Sequence, residues 1–299
     1  MSQVEALVRN MFEQGFLFAF LGLGVLITFR FFRFPDLTAE GSYPLGGAVA
    51  AKLIVSGWDP FSATLVATLA GSAAGIVTAL VHTKLKINNI IAGIIVMTAL
   101  YTVNLRVMGA ANTPLLDKPS VFGEVIAALN ITFGFGLREN ALSTIPIAFV
   151  LLAAASVALV WFFRTDLGLA VRATGQNEAM ILSLGADIDK TKIVGLALSN
   201  GFIAFSGALV AQNHGFADIG MGIGILVAGA AAVLIGETIF GDRTVGWWVL
   251  AAIVGMLVYQ LLAAAALRVG LTANDLKLIT AVLLLAALAI PRFRVRVFR

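Results

Sequence analysis

The chain has 299 residues, 60% of them hydrophobic and only 12% charged, and its 20 Lys and Arg against 16 Asp and Glu leave a net charge of +4. A soluble globular chain carries about 25% charged and about 45–50% apolar residues, so an ordinary soluble domain is excluded. The basic residues sit in short clusters between apolar runs, which argues against a nucleic-acid partner, and the absence of cysteine removes disulfides, thiol chemistry and cysteine-based metal sites.

No charged side chain occurs from Phe61 to Val81, from Ala141 to Phe163 or from Gly246 to Leu267. A hydrocarbon core of about 30 Å takes roughly 20 apolar residues in a helix, so the expectation is an all-α polytopic membrane protein forming one transmembrane domain over residues 1–299. The N-terminal stretch holds Glu5, Arg9 and Glu13 without a small-residue cleavage site, and no removable signal peptide is expected. About nine membrane segments follow in order: 14–32, 41–57, 61–81, 88–108, 143–163, 191–212, 222–240, 246–266 and 274–290. The second is short and glycine-rich, with the look of a broken or re-entrant helix. Two long connections stand out, 109–142 with an apolar stretch at Val121–Ile131, and 164–190, the most polar part of the chain.

Positive charge sets the orientation. With the C-terminus cytoplasmic, the inner connections hold Arg30, Arg33, Lys84, Lys86, Arg164, Arg172, Lys190, Lys192, Arg243, Arg292, Arg294, Arg296 and Arg299, 13 in all. The outer ones hold Arg9, Arg106, Lys118, Arg138, Arg268 and Lys277, only 6. A multi-pass protein of the cell inner membrane with a cytoplasmic C-terminus is therefore expected. Lys52 lies within the second segment, close enough to its end for the stem to carry the ammonium to the interface.

The chain also resembles itself. Asp36-Leu37 before Gly46-Gly47-Ala48-Val49-Ala50 is similar to Asp218-Ile219 before Gly229-Ala230-Ala231-Ala232-Val233, and Asn88-Asn89 opens one span as Asn274-Asp275 opens another. Asp36 falls inside and Asp218 outside in this topology, so the repeat would be inverted, a common ground plan for transporters.

The connection at about 164–192 carries the most specific signal. Gln176 and Asn177 suit the cap of a helix with Glu178 in its first turn, Ala179–Leu184 supply an apolar stripe, and Gly185 stops it. Composition alone fits equally an amphipathic connector lying on the membrane. The motif Gly168-Leu169-Ala170, Arg172-Ala173, Gly175, Asn177 and Leu184-Gly185 resembles the membrane permeases of the branched-chain amino acid and ribose type of ATP-binding-cassette importer. Asp36-Leu37-Thr38 and Ala231-Ala232-Val233-Leu234-Ile235-Gly236 with Phe240-Gly241 add to the likeness, which runs from about 35 to 290; Glu237 departs from the small residue usual there. The resemblance implies that residues 172–185 form a coupling helix, with Arg172, Gly175, Asn177, Glu178, Leu184 and Gly185 engaging a separate cytoplasmic ATPase subunit. It further implies a second permease copy or homologue, an extracytoplasmic substrate-binding protein, and ATP and Mg on the partner subunit rather than any cofactor on this chain. The chain has no G-x-x-x-x-G-K-[ST] phosphate loop of its own.

Within the spans, polar residues are candidates to line a translocation pathway: Asn200 first, then Asn104, Thr98 and Gln260. Interhelical hydrogen bonding is the competing role for each. Asp36 and Glu40 read as capping the second segment, Glu237 as pairing with Arg243, Gly71 and Gly75 as a small-residue packing face, and Gly220, Gly222 and Gly224 as an irregular approach to the seventh segment. His82 and His214 fall at opposite faces, too far apart to share a metal ion. The function expected is a non-enzymatic permease subunit moving a small polar solute, an amino acid or related compound, into the cytoplasm. The alternative is a secondary transporter driven by an ion gradient; an intramembrane enzyme would need clustered catalytic groups in the spans.

Overall fold

The computed structural model describes residues 3–133, 141–241, 243–268, 275, 277–282 and 284–285. In chain order α1 (Gln3–Leu26) runs into a π-helical turn (Ile27–Phe31), followed by α2 (Ala39–Val55), α3 (Pro60–Lys84), α4 (Asn89–Met108), β1 (Asn112–Pro114), α5 (Val121–Phe133) and α6 (Ala141–Phe162). Then come α7 (Asp166–Gln176), α8 (Glu178–Ser183), α9 (Ile188–His214), β2 (Phe216–Asp218), a 3-10 turn (Ile219–Gly222), α10 (Ile225–Phe240) and α11 (Val245–Arg268).

Among the described residues seven helical stretches are long and apolar enough to cross a membrane, as an all-α polytopic protein requires. Of the nine segments expected, α2 has only 17 residues, about 25 Å at 1.5 Å per residue, and 274–290 is described only in part, with 277–282 and 284–285 helical. The long connections are themselves structured: 109–142 contains β1 and α5, and 164–190 contains α7 and α8. Helix ends follow local chemistry. Asp59 accepts the Ser62 N–H ahead of Pro60 to open α3, and Asn88 accepts the Ile90 N–H to open α4. Gly109 and Gly215, at φ +76° and +75°, close α4 and α9 in the left-handed conformation.

α9 is the central pillar. It lies antiparallel to α1, as four contacts spaced along both helices show. Asn213 donates to Glu13, Ser206 Oγ to the Leu17 carbonyl and Ser199 Oγ to the Gly24 carbonyl, and Gly195 lies under the Phe32 ring. α9 also packs along α2 and α3, while α1 packs along α10 and α11. Each of the two pillars thus supports a helix pair that follows the other in sequence.

These contacts are backbone-close because glycine permits it. Cβ atoms added at Gly46 or Gly207 would overlap the carbonyl oxygens of Ala204 and Tyr43, fixing α2 against α9. Gly71 and Gly75 face the Asn200 and Leu196 carbonyls, fixing α3, and Gly236 and Gly255 do the same between α10 and α11. In lipid, where tails are as apolar as leucine, such close packing is a main source of helix association. Lys52 is exposed one turn before α2 ends, a position from which its stem reaches the interface.

Two substitutions separate packing from composition. Gly46→Val should destabilise the purified protein by about 1–3 kcal/mol through overpacking, read as a lower thermal unfolding midpoint. Gly246→Ala, whose added methyl meets nothing within 4 Å, should leave that midpoint unchanged.

Candidate functional site

Two regions bring polar residues together: an elbow outside the spans and a cavity at mid-height of the bundle. The elbow is two helices rather than the single one over 172–185 that the family resemblance implied, and the second matches the helix read from Asn177 as cap to Gly185 as stop. α7 ends at Gln176, and Asn177 at φ −156° and ψ 97° breaks the chain before α8. Asn177 Oδ1 then accepts the Met180 N–H at 3.0 Å, and Gly185 at φ +79° closes α8. Arg172 and Gly175 therefore belong to α7, and their contacts lie within this chain. The Arg172 guanidinium stands 5.5 Å over the Trp248 ring of α11 and 6.0 Å over Phe31. Gly175 seats α7 on the backbone of Phe31 and Phe32, where a Cβ would overlap the Phe31 carbonyl.

Glu178 is likewise engaged. Its carboxylate pairs at 2.9 Å with Lys192, whose ammonium also donates to His82 Nε2 at 3.1 Å. His82 Nδ1 faces the Ile87 carbonyl at 2.7 Å. An ammonium and a carbonyl fix the tautomer, because only a ring protonated on Nδ1 satisfies both. Asp187 opens α9 by accepting the Lys190 N–H and then its ammonium, which holds its carboxyl below the usual range. Arg172 and Gly175 face the bundle, while Glu178 stays largely exposed beside three exposed apolar side chains: Met180 at 57%, Leu182 at 64% and Leu184 at 70%. Met180 and Leu182 belong to the apolar stripe read over Ala179–Leu184, where neither was singled out. Glu237 engages Arg30 at 3.3 Å, and Arg30 lies 4.9 Å over Trp248, joining α10, the π-helical turn and α11 beneath the elbow; Arg243 stacks on Trp247.

Asn200, a candidate for the pathway with interhelical hydrogen bonding as its competing role, has the geometry of the latter. It is fully buried, its Nδ2 donates to Asp36 Oδ2 at 2.7 Å and to the Leu196 carbonyl, and its Oδ1 accepts from Ser42 Oγ at 2.7 Å. Both its polar atoms are engaged within the bundle. Asp36 does more than cap: its Oδ1 accepts the Thr38 N–H while its Oδ2 crosses to α9.

The cavity, of about 260 Å³, is lined by Glu40, Gly41, Pro44, Met97, Thr98, Tyr101, Asn104, Ile219 and Ile223. Thr98 and Asn104 are thus brought together; Asn200 and Gln260 do not line it. Gly41 lies against Met97 and Leu100, eight and eleven residues after Asn89 opens α4, hence about 12–17 Å along the helix. α2 therefore begins well inside the bundle. α10 does so from the opposite end: after the 3-10 turn the chain passes Gly224 at φ +83°, Gly222 packs on the Glu40 carbonyl and Pro44, and the Gly224 N–H donates to Glu40 Oε1 at 3.2 Å. The glycines at 220–224 form irregular backbone at depth, where it is tolerated only around a protein-lined or water-filled space.

A family described as "Branched-chain amino acid transport system / permease component" matches residues 7–288. The chain is 40% identical over 282 residues to a tyrosine transport system permease protein of Clostridioides difficile, covering 94% of this chain and 90% of that protein. It is 32% identical over 281 residues to an uncharacterized protein of Rickettsia prowazekii, covering 93% and 95%. It is also 27% identical over 229 residues to the ribose import permease protein of Escherichia coli K12, covering 74% and 67%. No solved structure is a significant match.

Replacing Asn200 by Leu should strand the Asp36 carboxylate and the Ser42 hydroxyl, at about 1–3 kcal/mol for each buried group left unpaired. A lower thermal midpoint of the purified protein is expected, and an unchanged midpoint would remove Asn200 from its interhelical role.

Proposed function

We propose, for a chain that belongs to the permease-component family of branched-chain amino acid transport systems, that it is the membrane-spanning subunit of an ATP-binding-cassette importer and moves an amino acid into the cytoplasm. ATP and Mg reside on separate cytoplasmic ATPase subunits, and this chain holds no cofactor. The observation that carries this reading is the apolar knob of Met180, Leu182 and Leu184 on a short helix outside the spans. Large apolar side chains left exposed on a polar connection suit a docking partner, and a groove in an ATPase subunit is that partner. A gradient-driven carrier working as a single chain has no use for such a knob.

The relative named a tyrosine transport permease, at 40% identity, favours an amino acid over a sugar. The bundle end bearing the elbow also carries Arg30, Arg33, Lys84, Lys86 and Arg164, which supports a cytoplasmic elbow under the positive-inside rule and, with nine spans, a cytoplasmic C-terminus in the cell inner membrane. The inverted repeat gains support from matching turns. Asp36 accepts the N–H two residues on at 2.9 Å, Asp218 accepts the Gly220 N–H at 2.7 Å, and each turn follows one of the antiparallel pillars α1 and α9. The pathway runs between this chain and a second copy or homologue, with an extracytoplasmic substrate-binding protein delivering solute to the face bearing β1 and β2.

Met180→Glu with Leu184→Glu should weaken capture of the cognate ATPase by about tenfold or more, the scale of losing an interface anchor, while the thermal midpoint stays put because both side chains are exposed. Undiminished capture would sink the coupling assignment. A cysteine at Ser183 should be labelled only from the cytoplasmic side; labelling in intact cells by an impermeant reagent would reverse the topology.

A further inference from the structure

The mid-height cavity has a chemistry of its own. Glu40 places a carboxylate well inside the bundle, where a charge costs about 2.5–3.5 kcal/mol on insertion scales and by default marks function. It forms no ion pair among the described residues; Lys277 attracts it only through space. Asn104 is 1% exposed and donates through Nδ2 to the Gly41 carbonyl at 3.1 Å, but its Oδ1 is buried with no partner. An unpaired carbonyl oxygen in such a place costs about 1–3 kcal/mol and calls for a donor. The Thr98 hydroxyl spends its proton on the Ile94 carbonyl at 2.8 Å, leaving only lone pairs to the cavity. The Tyr101 ring completes the wall, and a ring face attracts cations.

What the lining offers is a carboxylate, a hydroxyl with free lone pairs, an asparagine whose buried Oδ1 lacks a partner and a tyrosine ring, with no cationic side chain among the described lining residues. Such a surface repels a carboxylate or phosphate. It matches a primary ammonium, which has three donors and no acceptor. From this we infer that the cavity between α2, α4 and the 3-10 turn before α10 is a recognition subsite for the ammonium group of the solute, with Glu40 as counter-charge and Asn104 Oδ1 and Thr98 Oγ1 as acceptors. The volume suits the amino end of a small molecule, and the apolar Met97, Ile219 and Ile223 flank the rest of it. The inference rests on the importer reading only for its choice of an amino acid as solute.

The test is calorimetric titration of the purified full chain in phosphatidylcholine nanodiscs, whose lipid carries no primary amine. The probes are L-tyrosine, tyramine (ammonium without carboxylate) and 3-(4-hydroxyphenyl)propionate (carboxylate without ammonium). L-Tyrosine and tyramine are expected to bind and the propionate is not. Glu40→Gln keeps an acceptor for the Gly224 N–H and hence the fold, and should weaken tyramine by about ten- to a hundredfold, the worth of a charge-assisted contact. Thr98→Val, at an exposed position, should weaken it by about two- to tenfold. Propionate binding as tightly as tyramine, undiminished tyramine binding by Glu40→Gln, sodium chloride competing as well as tyramine, or no binding by either ammonium probe would each overturn the proposal. Failure of ATPase capture at the elbow would sink the importer reading while leaving a tyramine-specific cavity standing, so the two failures are distinguishable.

Discussion

Backbone hydrogen bonding in hydrocarbon is the constraint that organises this molecule. A helix leaves its first N–H groups without intrahelical partners, and lipid supplies none. A helix that begins at mid-height must therefore find acceptors inside the protein. α2 and α10 both begin there, one from each end of the bundle, and acidic side chains meet the need: Asp36 at Thr38, Asp218 at Gly220 and Glu40 at Gly224. The same acids then tie elements together, since Asp36 also holds Asn200 of α9 and Glu40 spans from α2 to the approach of α10. Where the two starts meet, the packing leaves a space, and the cavity occupies it.

The spans and the elbow were legible in the sequence because hydropathy, capping residues and clustered basic residues are local signals. The start of α8 was legible too, since Asn177 followed by Glu178 is a local capping signal; that the residues before it, Asp166–Gln176, form a second helix was not. The roles of the polar residues were also beyond reach. Asn200 and Asn104 are the same residue type in similar apolar surroundings. One is spent on Asp36, 164 residues away, and the other, a residue of the cavity lining, keeps a buried oxygen without a partner. Only the register between distant helices decides this. Glu40 was read as a cap for the same reason: its meeting with Gly224, 184 residues on, has no local signature.

The elbow is held by interactions of different kinds. Glycine contact sets α7 on the end of α1, the Arg172 guanidinium lies on the Trp248 and Phe31 rings, and an ion pair joins α8 to Lys192 at the base of α9. The elbow thereby touches both pillars, each of which supports a helix pair from the other half. The π-helical turn lies beneath it, with the Phe31 ring 4.1 Å from Phe163. A displacement of α8 is transmitted to α1 and α9 together, since close-packed interiors transmit strain.

At the far end of the bundle the chain is stitched across. Asn112, Thr113 and Pro114 pair with Asp218, Ala217 and Phe216, and two flanking hydrogen bonds, Leu115 to Gly215 and Ile219 to Ala111, lengthen the seam. The seam joins the exit of α4 to the exit of α9, so those two helices cannot part at that rim without tearing main-chain bonds. Any opening on that side is therefore confined to margins that the hem does not cross, and the hemmed edge itself moves as one rigid piece.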